Sequence, residues 1–540
     1  MSKILIFFKT YRLNLICFTS LFFVSCFFIL RAAPEVFGRL GYELHEIANW
    51  DTGMYYTIGK GLAHGITPYS GLYENKPPMI FLLSAISYKL TSGYYLVNIL
   101  SFFSFLTIIV IPAGLWLFKS IKNKTPLISI TSLTCTLIYI TFIITSFAEL
   151  RSGEVQIEIF GSAALFLSFL SMSLQKTHTL KVYSPHIIFS GLFLGIATMF
   201  KEPFFLLGVL SLFFFVRNRK NLLYHILLPI AYAGLFSLSL LLITGALVPY
   251  FTIYLANMFG SHLSIYGSPW DRASNIFRIF DDMRNYSRAL EICIYVLFTA
   301  NVFAFVKQIP NGETNFDKVL SFIKIPWLFL TLYGASFAVG LGGQYYNHHH
   351  IFALPLYGIL IFNIINYCSS KFSEKHLSLH FVSALIIGIL VGLGFADRQP
   401  FEVNKNVIRE INEAKENAAY IDKILDAIGE KKYAFIGFNG YHPYAYTRHD
   451  VIGPSFVQDS HNFTDENTFF SKSLAHQLDS ANFIVFRNFN VDVMTPYVIQ
   501  TLNNCFSKQM PPDLRSIPRP SKFRYDLHFR VKKDCSYFPE

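Results

Sequence analysis

The sequence WDTGMYYTIGKGLAHGITPYSGLYENKPP, from Trp50 to Pro78, combines an acid, Asp51, and a cation, Lys76, with many glycine, proline and tyrosine residues. It follows the first long apolar run of the chain, and another apolar stretch begins directly after it at Met79. Glycine and proline are typical of turns and loops. We therefore expect a polar loop between segments that lie in or span a membrane, with water-dependent chemistry at the membrane surface.

The composition of the whole chain agrees with a membrane location. Of its 540 residues 53% are hydrophobic and only 15% are charged, and 57 are phenylalanine, which excludes an ordinary soluble globular protein. The net charge of +11 is spread over short clusters between apolar runs, not along one face or tail. We predict a polytopic α-helical membrane protein that contacts membrane lipids and has no nucleic-acid partner.

Transmembrane helices need about 20 mostly apolar residues, because a bilayer cannot satisfy exposed backbone groups. About eleven stretches fit, at 13–30, 94–118, 126–147, 155–174, 185–200, 203–216, 222–246, 288–306, 325–341, 351–370 and 378–396. The first run continues beyond Cys26, which favours a retained span over a cleaved signal peptide. Between two short runs, Lys201-Glu202-Pro203 predicts a tight turn, with a kink in one long helix as the alternative.

The loops between these runs alternate in charge. Every second loop is short and basic (119–124, 174–181, 217–220, 307–324 and 369–376), as expected of cytoplasmic loops if the N-terminus is cytoplasmic. The other loops then face outside and hold most of the remaining ionisable residues: Asp51, Lys76, Glu149, Arg151, Glu154, Lys201, Glu202, Asp271, Arg272 and His348 to His350. Such residues beside apolar helices are costly unless they face water, a partner or a ligand. This pattern predicts an active or binding face on the outer side.

The last 140 or so residues have the composition of a soluble protein. Residues 401–430 have helical periodicity, and 433–437 and 481–486 are typical of short buried strands. We expect a transmembrane domain at 1–398, with an outer loop at 31–93, and a small α/β domain at 399–540 on the outer side. Cys505 and Cys535 belong to this domain, and in an oxidising compartment they could pair; the sequence leaves this open.

Asp51 has two interpretations, as a helix N-cap or as a catalytic acid. Its aromatic neighbours, among them Tyr55 and Tyr69, suit sugar rings or the headgroup region of a membrane. Proline is accepted in the first turn of a helix, so Pro77-Pro78 predicts that Met79 to Leu90 forms a helix along the membrane surface. Lys76 would then lie at its water-facing end.

Taken together, Asp51 soon after the first span, Pro68-Tyr69, and Lys76-Pro77-Pro78 before an amphipathic helix resemble a known family. It is the GT-C superfamily of polyprenyl-phosphate-sugar-dependent membrane glycosyltransferases, including the protein O-mannosyltransferases and the aminoarabinose transferase acting on lipid A. Three further features are similar to its bacterial branch: the Gly-rich stretch from Gly191 to Pro203, the stretch from Gly342 to His348 with Pro355 beyond, and Glu154 at the start of the fourth span. The resemblance covers about residues 10–400.

Two positions bear on the acids of the site. Thr52 follows Asp51 where many relatives carry a second acid, so the sequence does not predict a two-acid site at that point. Glu154 and Glu158 both lie near the outer end of one span and compete for the role of second acid. We favour Glu154.

The resemblance implies an inverting transfer of a monosaccharide from a polyprenyl phosphate to a cell-envelope glycan, lipid or protein at the outer face of the cytoplasmic membrane. A phosphate leaves readily when cations balance its charge, whereas the acceptor needs a base. No cofactor or metal is expected. Asp51 would be the base, and Glu154 would orient the acceptor or tune Asp51. The expected phosphate contacts are Lys76, Lys201, Arg272 and His348, and possible substrate contacts are Tyr55, Tyr69, Glu158 and Tyr345.

Other interpretations compete with these assignments. The triplet His348 to His350 could bind a metal, but consecutive side chains diverge and no HExxH or DxD pattern accompanies them. Lys201 could snorkel at a span end, and Asp271-Arg272 could be a local ion pair. At the level of function, the alternatives are a flippase or transporter of lipid-linked sugars and a non-enzymatic scaffold that binds envelope glycans. Polar groups gathered at one face, without paired repeats, favour the enzyme over a transporter.

Overall fold

A computed structural model describes residues 50–122, 156–175, 182–216, 222–262, 288–309, 315–340, 347–371, 405–436, 443–453, 469–487 and 496–532, with residues 19, 23 and 140. Contacts between Cα atoms divide the chain into two compact units. The first comprises Met1–Gly41, Leu100–Ser237 and Ile265–Phe401, and the second Tyr42–Ile99, Leu238–Ser264 and Glu402–Glu540. The second unit thus contains part of the predicted outer loop together with the C-terminal segment; the predicted domain boundary at 399 stays a prediction.

Helices make up most of the described structure. In chain order they are α1 (Trp50–Ala63), α2 (Met79–Thr91), α3 (Tyr95–Lys122), α4 (Ile157–Leu174), α5 (Pro185–Phe200), α6 (Pro203–Leu212), α7 (Leu228–Ile243), α8 (Arg288–Gln308), α9 (Asn315–Gly340), α10 (Leu354–Lys371), α11 (Lys405–Ile428), α12 (Phe469–Ser480) and α13 (Pro496–Cys505). The strands are β1 (Lys432–Ile436), β2 (Asp450–Val451), β3 (Phe483–Arg487), β4 (Phe506–Ser507) and β5 (Tyr525–Arg530). Short π-helical turns precede α7 at Leu223–Leu227 and follow it at Tyr250–Tyr254 and Met258–His262.

Several of these helices have the length and apolar character of membrane spans. Within the described residues, three are long and apolar enough to cross a bilayer: Ile157–Leu174, Leu223–Ile243 and Lys318–Ala338. Shorter apolar helices include Pro185–Phe200, Pro203–Phe215 and Ile294–Lys307. The predicted spans 13–30, 126–147 and 378–396 lie almost entirely outside the described residues, so the number eleven stays a prediction. A helical, membrane-type chain is confirmed.

In the first unit the chain turns sharply at Lys201. Helix α5 ends at Phe200, Lys201 has extended backbone, and α6 begins at Pro203, where proline fits the first helical turn. The predicted turn is therefore confirmed, and the kinked long helix is wrong. Close packing accompanies it, because a Cβ at Gly161 of α4 would lie 2.0 Å from the Phe204 ring of α6. Glycine is thus the residue that allows this approach.

The Gly-rich stretch of α5 also has a packing role. A Cβ at Gly191 would lie 2.7 Å from the carbonyl oxygen of Pro229, and one at Gly195 would lie 2.9 Å from that of Ala233. The four-residue spacing puts both glycines on one face of α5, against α7. Small residues allow such close approach between apolar helices, where packing replaces the hydrophobic effect.

In the second unit α1 and α2 pack side by side and run in the same direction, since Tyr55 lies against Phe81 and His64 against Tyr88. They touch at Gly59, where a Cβ would lie 2.3 Å from that of Ser84. Pro78 occupies the N-cap of α2, so the helix predicted after the two prolines is confirmed. The pair continues into α3 through a turn in which Ser92 has left-handed backbone (φ 53°) and Tyr56 Oη donates a hydrogen bond to the Ser92 carbonyl (3.3 Å).

The C-terminal part of the second unit is built on a five-stranded sheet with the order β2-β1-β3-β5-β4. Strand β1 pairs in parallel with β2 and β3, whereas β5 is antiparallel to β3 and β4, so the sheet is mixed. Buried residues such as Phe435, Ile436 and Val485 explain the short apolar strands. The guanidinium of Arg530 donates to the carbonyls at the end of α12, which lack helical partners. The predicted small α/β unit is confirmed.

Lys60 joins the helix of the outer loop to this α/β part within the second unit. Its Nζ donates hydrogen bonds to the carbonyls of Thr447 (2.7 Å) and His449 (3.0 Å), and the side chain is 1% exposed. One helical turn later, His64 Nδ1 lies 2.8 Å from a carboxylate oxygen of Asp450. These contacts hold the C-terminal end of α1 against the edge strand β2.

Candidate functional site

The first group of interest is the Asp51 cluster, which we define as Asp51, Glu74 and Lys76 in the second unit. Asp51 lies in the first turn of α1, where the helix dipole favours negative charge, and it is partly exposed. Glu74 and Lys76 precede α2, and Lys76 Nζ lies 3.5 Å from Glu74 Oε1. The cluster therefore places two acids and one cation before or at the start of two packed helices.

The protonation of Glu74 reflects this arrangement. Burial raises the pKa of Glu74, since only 13% of its side chain is exposed, and the negative charge of Asp51 raises it further, while Lys76 opposes both effects. Asp51 is therefore close enough for its charge to act on Glu74. Two carboxylates and one ammonium carry a net charge of −1 when ionised, and the raised pKa of Glu74 means that this acid binds a proton more readily than an isolated one.

Two tyrosines fix the loop that carries Glu74 and Lys76. Tyr69 is completely buried and donates a hydrogen bond from its hydroxyl to the Lys76 carbonyl (2.8 Å), while Tyr73 donates to Asn75 Oδ1 (2.5 Å). The Tyr69 ring packs 5.0 Å from that of Tyr254. Backbone strain at Tyr69 (φ 70°) is retained because these contacts fix the loop.

Tyr444 brings the α/β part of the second unit to the Asp51 cluster. It is 2% exposed, and burial raises its pKa well above the ordinary value, with the charges of Glu74 and Asp51 adding to the effect. Tyr444 therefore remains a neutral phenol beside two acids. Neighbouring contacts support this side of the cluster, since the Tyr73 and Phe470 rings meet edge to face at 4.7 Å.

The second group is the Glu158 cluster, which we define as Glu158, Lys201, His348 and His349 in the first unit. Glu158 is 1% exposed in the first turn of α4, and Lys201 reaches it from the break between α5 and α6. Lys201 Nζ lies 2.5 Å from Glu158 Oε1, 3.1 Å from His349 Nε2 and 5.0 Å from the centre of the Phe352 ring. The other oxygen, Glu158 Oε2, is buried and has no hydrogen-bond partner among the described residues.

Three groups of this cluster have the chemistry of metal ligands. One ligand atom each from Glu158, His348 and His349 can be chosen so that all lie within 4.8 Å of one another. However, the Lys201 ammonium already contacts two of these residues, and a divalent cation beside it would meet like charge. The geometry therefore favours a lysine-centred ion pair, with the partly exposed His348 ring edge to face with that of His349.

Several solved structures are similar to that of this chain. Its structure is similar to that of ArnT from Cupriavidus metallidurans bound to undecaprenyl phosphate, with 11% identity, a TM-score of 0.47, and coverage of 94% of this chain and 98% of that one. It is also similar to the oligosaccharyltransferase of Archaeoglobus fulgidus in complex with zinc and sulfate (16% identity, TM-score 0.43, coverage of 85% and 67%) and in the apo form (14%, 0.41, 86% and 69%).

These similarities are ones of fold. The chain that resembles the GT-C family by its sequence motifs thus matches structures of ArnT and of an oligosaccharyltransferase over most of its length. No family model and no curated protein matches the sequence. The roles of individual residues in this chain therefore rest on its own geometry.

The structure brings together some of the predicted site residues. Asp51 and Lys76 both act on Glu74, and Lys201 joins Glu158 and His349, next to His348. Tyr55 and Tyr69 are buried at 1% and 0% exposure, so their rings pack inside the second unit, and their contact with substrate stays a prediction. Three predicted residues lie outside the described part of the chain: Glu154, Arg272 and Tyr345.

Sequence reasoning assigned no role to two residues of the second unit. Thr52 cannot provide a second carboxylate next to Asp51, but Glu74 lies near Asp51 and provides one. Its position two residues before Lys76 was a signal that could have identified it. Lys60 fastens α1 through contacts 387 and 389 residues away in the chain, and no local pattern predicts such contacts.

Proposed function

We propose that this chain is an inverting glycosyltransferase that moves a monosaccharide from a polyprenyl phosphate to a cell-envelope glycan, lipid or protein acceptor. The observation that carries the proposal is the Asp51 cluster, in which two carboxylates and a lysine lie together at the start of α1. This set of groups suits a reaction that removes one proton and releases one phosphate. The motifs that resemble GT-C enzymes support the same class.

In the proposed reaction the acceptor oxygen or nitrogen attacks the anomeric carbon from the face opposite the phosphate. The new bond to the acceptor forms as the bond between that carbon and the phosphate oxygen breaks, so the configuration inverts. Asp51 takes the acceptor proton, and Glu74 lies close enough for the two charges to interact. Polyprenyl phosphate leaves with the electron pair. Glu154, the predicted second acid, keeps its proposed role in orienting the acceptor.

The departing phosphate needs positive charge, which we assign first to Lys76. Lys76 Nζ lies 3.5 Å from Glu74 Oε1, and an ammonium that pairs with a carboxylate can pair with a phosphate oxygen in the same way. Lys201, His348 and Arg272 remain proposed phosphate contacts. The proposed leaving group has the chemistry of the undecaprenyl phosphate bound in the structure of Cupriavidus ArnT.

We further propose that the α/β part lies on the outer side of the cytoplasmic membrane and the N-terminus on the inner side. Cys505 is disulfide-bonded, and disulfides persist in oxidising compartments such as the periplasm or cell exterior. Cys535, whose pairing with Cys505 the sequence leaves open, lies outside the described residues. The alternation of basic loops along the sequence supports the same orientation.

The test compares the cell-envelope glycans of cells that carry the wild-type chain, the Asp51→Asn chain or neither, by mass spectrometry. Asparagine keeps the size of the side chain but removes the base, so transfer is expected to fall by about 10²–10⁴. The matched control is Asp513→Asn, which makes the same change at an exposed aspartate of the α/β part. It is expected to preserve the wild-type glycan profile.

Two results would reject the proposal. Near wild-type transfer by Asp51→Asn would remove Asp51 from the reaction. Movement of a lipid-linked sugar across vesicles without a new covalent bond would favour a transporter. Cells without the chain are expected to lack one sugar mass on a particular glycan, lipid or protein. If that mass returns only in cells that carry the wild-type or the Asp513→Asn chain, it identifies the transferred sugar and its acceptor together.

A further inference from the structure

A pocket of about 460 Å³ lies within the second unit, between the helices of the outer loop and the α/β part. Its volume falls within the range of about 300–1,000 Å³ that is usual for small-molecule sites. One side is formed by α1 and the turn from α2 to α3, and the other by α11 and the segment before β2. The pocket contains none of the three residues of the Asp51 cluster.

The lining of this pocket is aromatic and polar. Five tyrosines contribute to it, namely Tyr56, Tyr88, Tyr94, Tyr95 and Tyr446, and its aliphatic lining is limited to Ala445. Tyrosine rings offer flat apolar faces and a hydroxyl at the edge. A lipid chain would need aliphatic walls, which this pocket lacks. A sugar ring, with apolar C–H faces and a rim of hydroxyls, matches such a lining.

The pocket also combines neutral phenols with cations. The Tyr56 ring meets Tyr94 edge to face at 5.5 Å and donates to the Ser92 carbonyl, and burial raises its pKa to about 12. The guanidinium of Arg448 is engaged by Asp426 (2.6 Å), and the Lys415 ammonium lies 5.7 Å from the centre of the Tyr446 ring. The lining therefore presents neutral phenols together with the cations of Lys60, Lys415 and Arg448 and, among the described residues, no acid, which suits a neutral or weakly acidic glycan.

We propose that this pocket binds the acceptor as an oligosaccharide, and holds sugar units remote from the one that reacts. The inference rests on the proposed function, because it assigns the pocket to the acceptor of that reaction. Tyr56 and Lys60 follow Asp51 by five and nine residues on the same helix, which corresponds to about 7–13 Å along the axis. A short glycan chain can extend over this distance, whereas a single amino acid or monosaccharide cannot.

The experiment measures binding without turnover. The full-length Asp51→Asn chain in nanodiscs is applied to an array of bacterial-envelope and other oligosaccharides, and the best-retained glycan is titrated by saturation-transfer NMR. The same titration is made after adding Tyr95→Ala and Tyr446→Ala, which remove two rings that are partly exposed at the pocket. The matched control adds Tyr183→Ala, at a tyrosine that is 71% exposed and does not line the pocket.

We expect the double pocket substitution to weaken glycan binding at least tenfold, the control to leave it unchanged, and the thermal melting of all chains to agree. Retention of no oligosaccharide, or equal affinity of the double variant, would overturn the inference. Binding to phosphatidylglycerol vesicles is measured for the same chains. If the double variant lost vesicle binding but kept glycan binding, the pocket would be a lipid contact, and this result would also overturn the inference. The proposed function fails by a different result, active transfer by Asp51→Asn, so the two failures are distinguishable.

Discussion

Lys60 is expected to make the protein more stable as the pH rises from 7 to 9. The side chain is buried in the second unit and donates to the carbonyls of Thr447 and His449. Burial lowers the pKa of Lys60 from 10.5 to about 8, and the carboxylates of Asp450 and Asp422 offset only part of this effect. At neutral pH the charged lysine therefore has a desolvation penalty in the folded protein that is absent in the unfolded chain.

The sign and size of the effect follow from the two pKa values. Between about pH 8 and 10.5 the unfolded chain keeps its proton on Lys60 while the folded chain loses it, so stability rises with pH in this window. The whole shift corresponds to about 3 kcal/mol, of which about 1 kcal/mol is recovered between pH 7 and 9. For a unit of this size, that equals an increase of about 2–4 °C in melting temperature.

The assay is thermal unfolding of the purified full-length chain in detergent, at intervals from pH 7 to 9. Lys60→Met keeps a similar volume but removes the titrating group, so its melting temperature is expected to lack this rise. It is also expected to melt below the wild type at pH 9, because two carbonyls lose a donor. The matched control is Lys89→Met on the exposed face of α2, which keeps the wild-type slope. An equal rise in the Lys60→Met chain would refute the assignment.

Two further predictions concern the first unit. Lys201→Met leaves the buried Glu158 carboxylate without its cation and is expected to lower the free energy of unfolding by about 3–5 kcal/mol. Adding Glu158→Gln is expected to restore part of this stability, measured as melting temperature in detergent. No recovery would contradict the ion-pair explanation. Gly195→Ala is expected to cost about 1–3 kcal/mol and lower the yield of folded protein, since its Cβ meets a carbonyl of α7 at 2.9 Å. Gly234→Ala, where nothing lies within 4 Å, is the control, and equal losses in both variants would contradict the packing argument.

Local sequence signals predicted much of the fold. Pro77-Pro78 before an apolar run placed the start of α2, and Lys201-Glu202-Pro203 placed the break between α5 and α6. Both depend on the backbone preferences of proline, which act within a few residues. The periodicity of 401–430 and the short apolar runs after it gave α11, β1 and β3 for the same reason.

The candidate site was less predictable because its contacts are not local. The sequence gives Tyr69 the features of a sugar-contacting residue, yet its ring is buried and its hydroxyl holds the Lys76 carbonyl. An aromatic side chain in a loop can face either a ligand or a core, and only packing decides. Likewise, Glu158 meets Lys201 from 43 residues away, a pairing that required the turn between two helices to be known first.

The contact of Lys60 also sets an order for biosynthesis. Its hydrogen-bond acceptors lie 387 and 389 residues further along the chain, so they do not exist when α1 leaves the ribosome. At about 5–20 residues per second, roughly 20–80 s of translation separate the lysine from its first acceptor. During that interval the helix that bears Asp51 lacks its final anchor. A chain cut short before Thr447 would never gain it, so α1 is fixed in place only after this segment of the α/β part has been made.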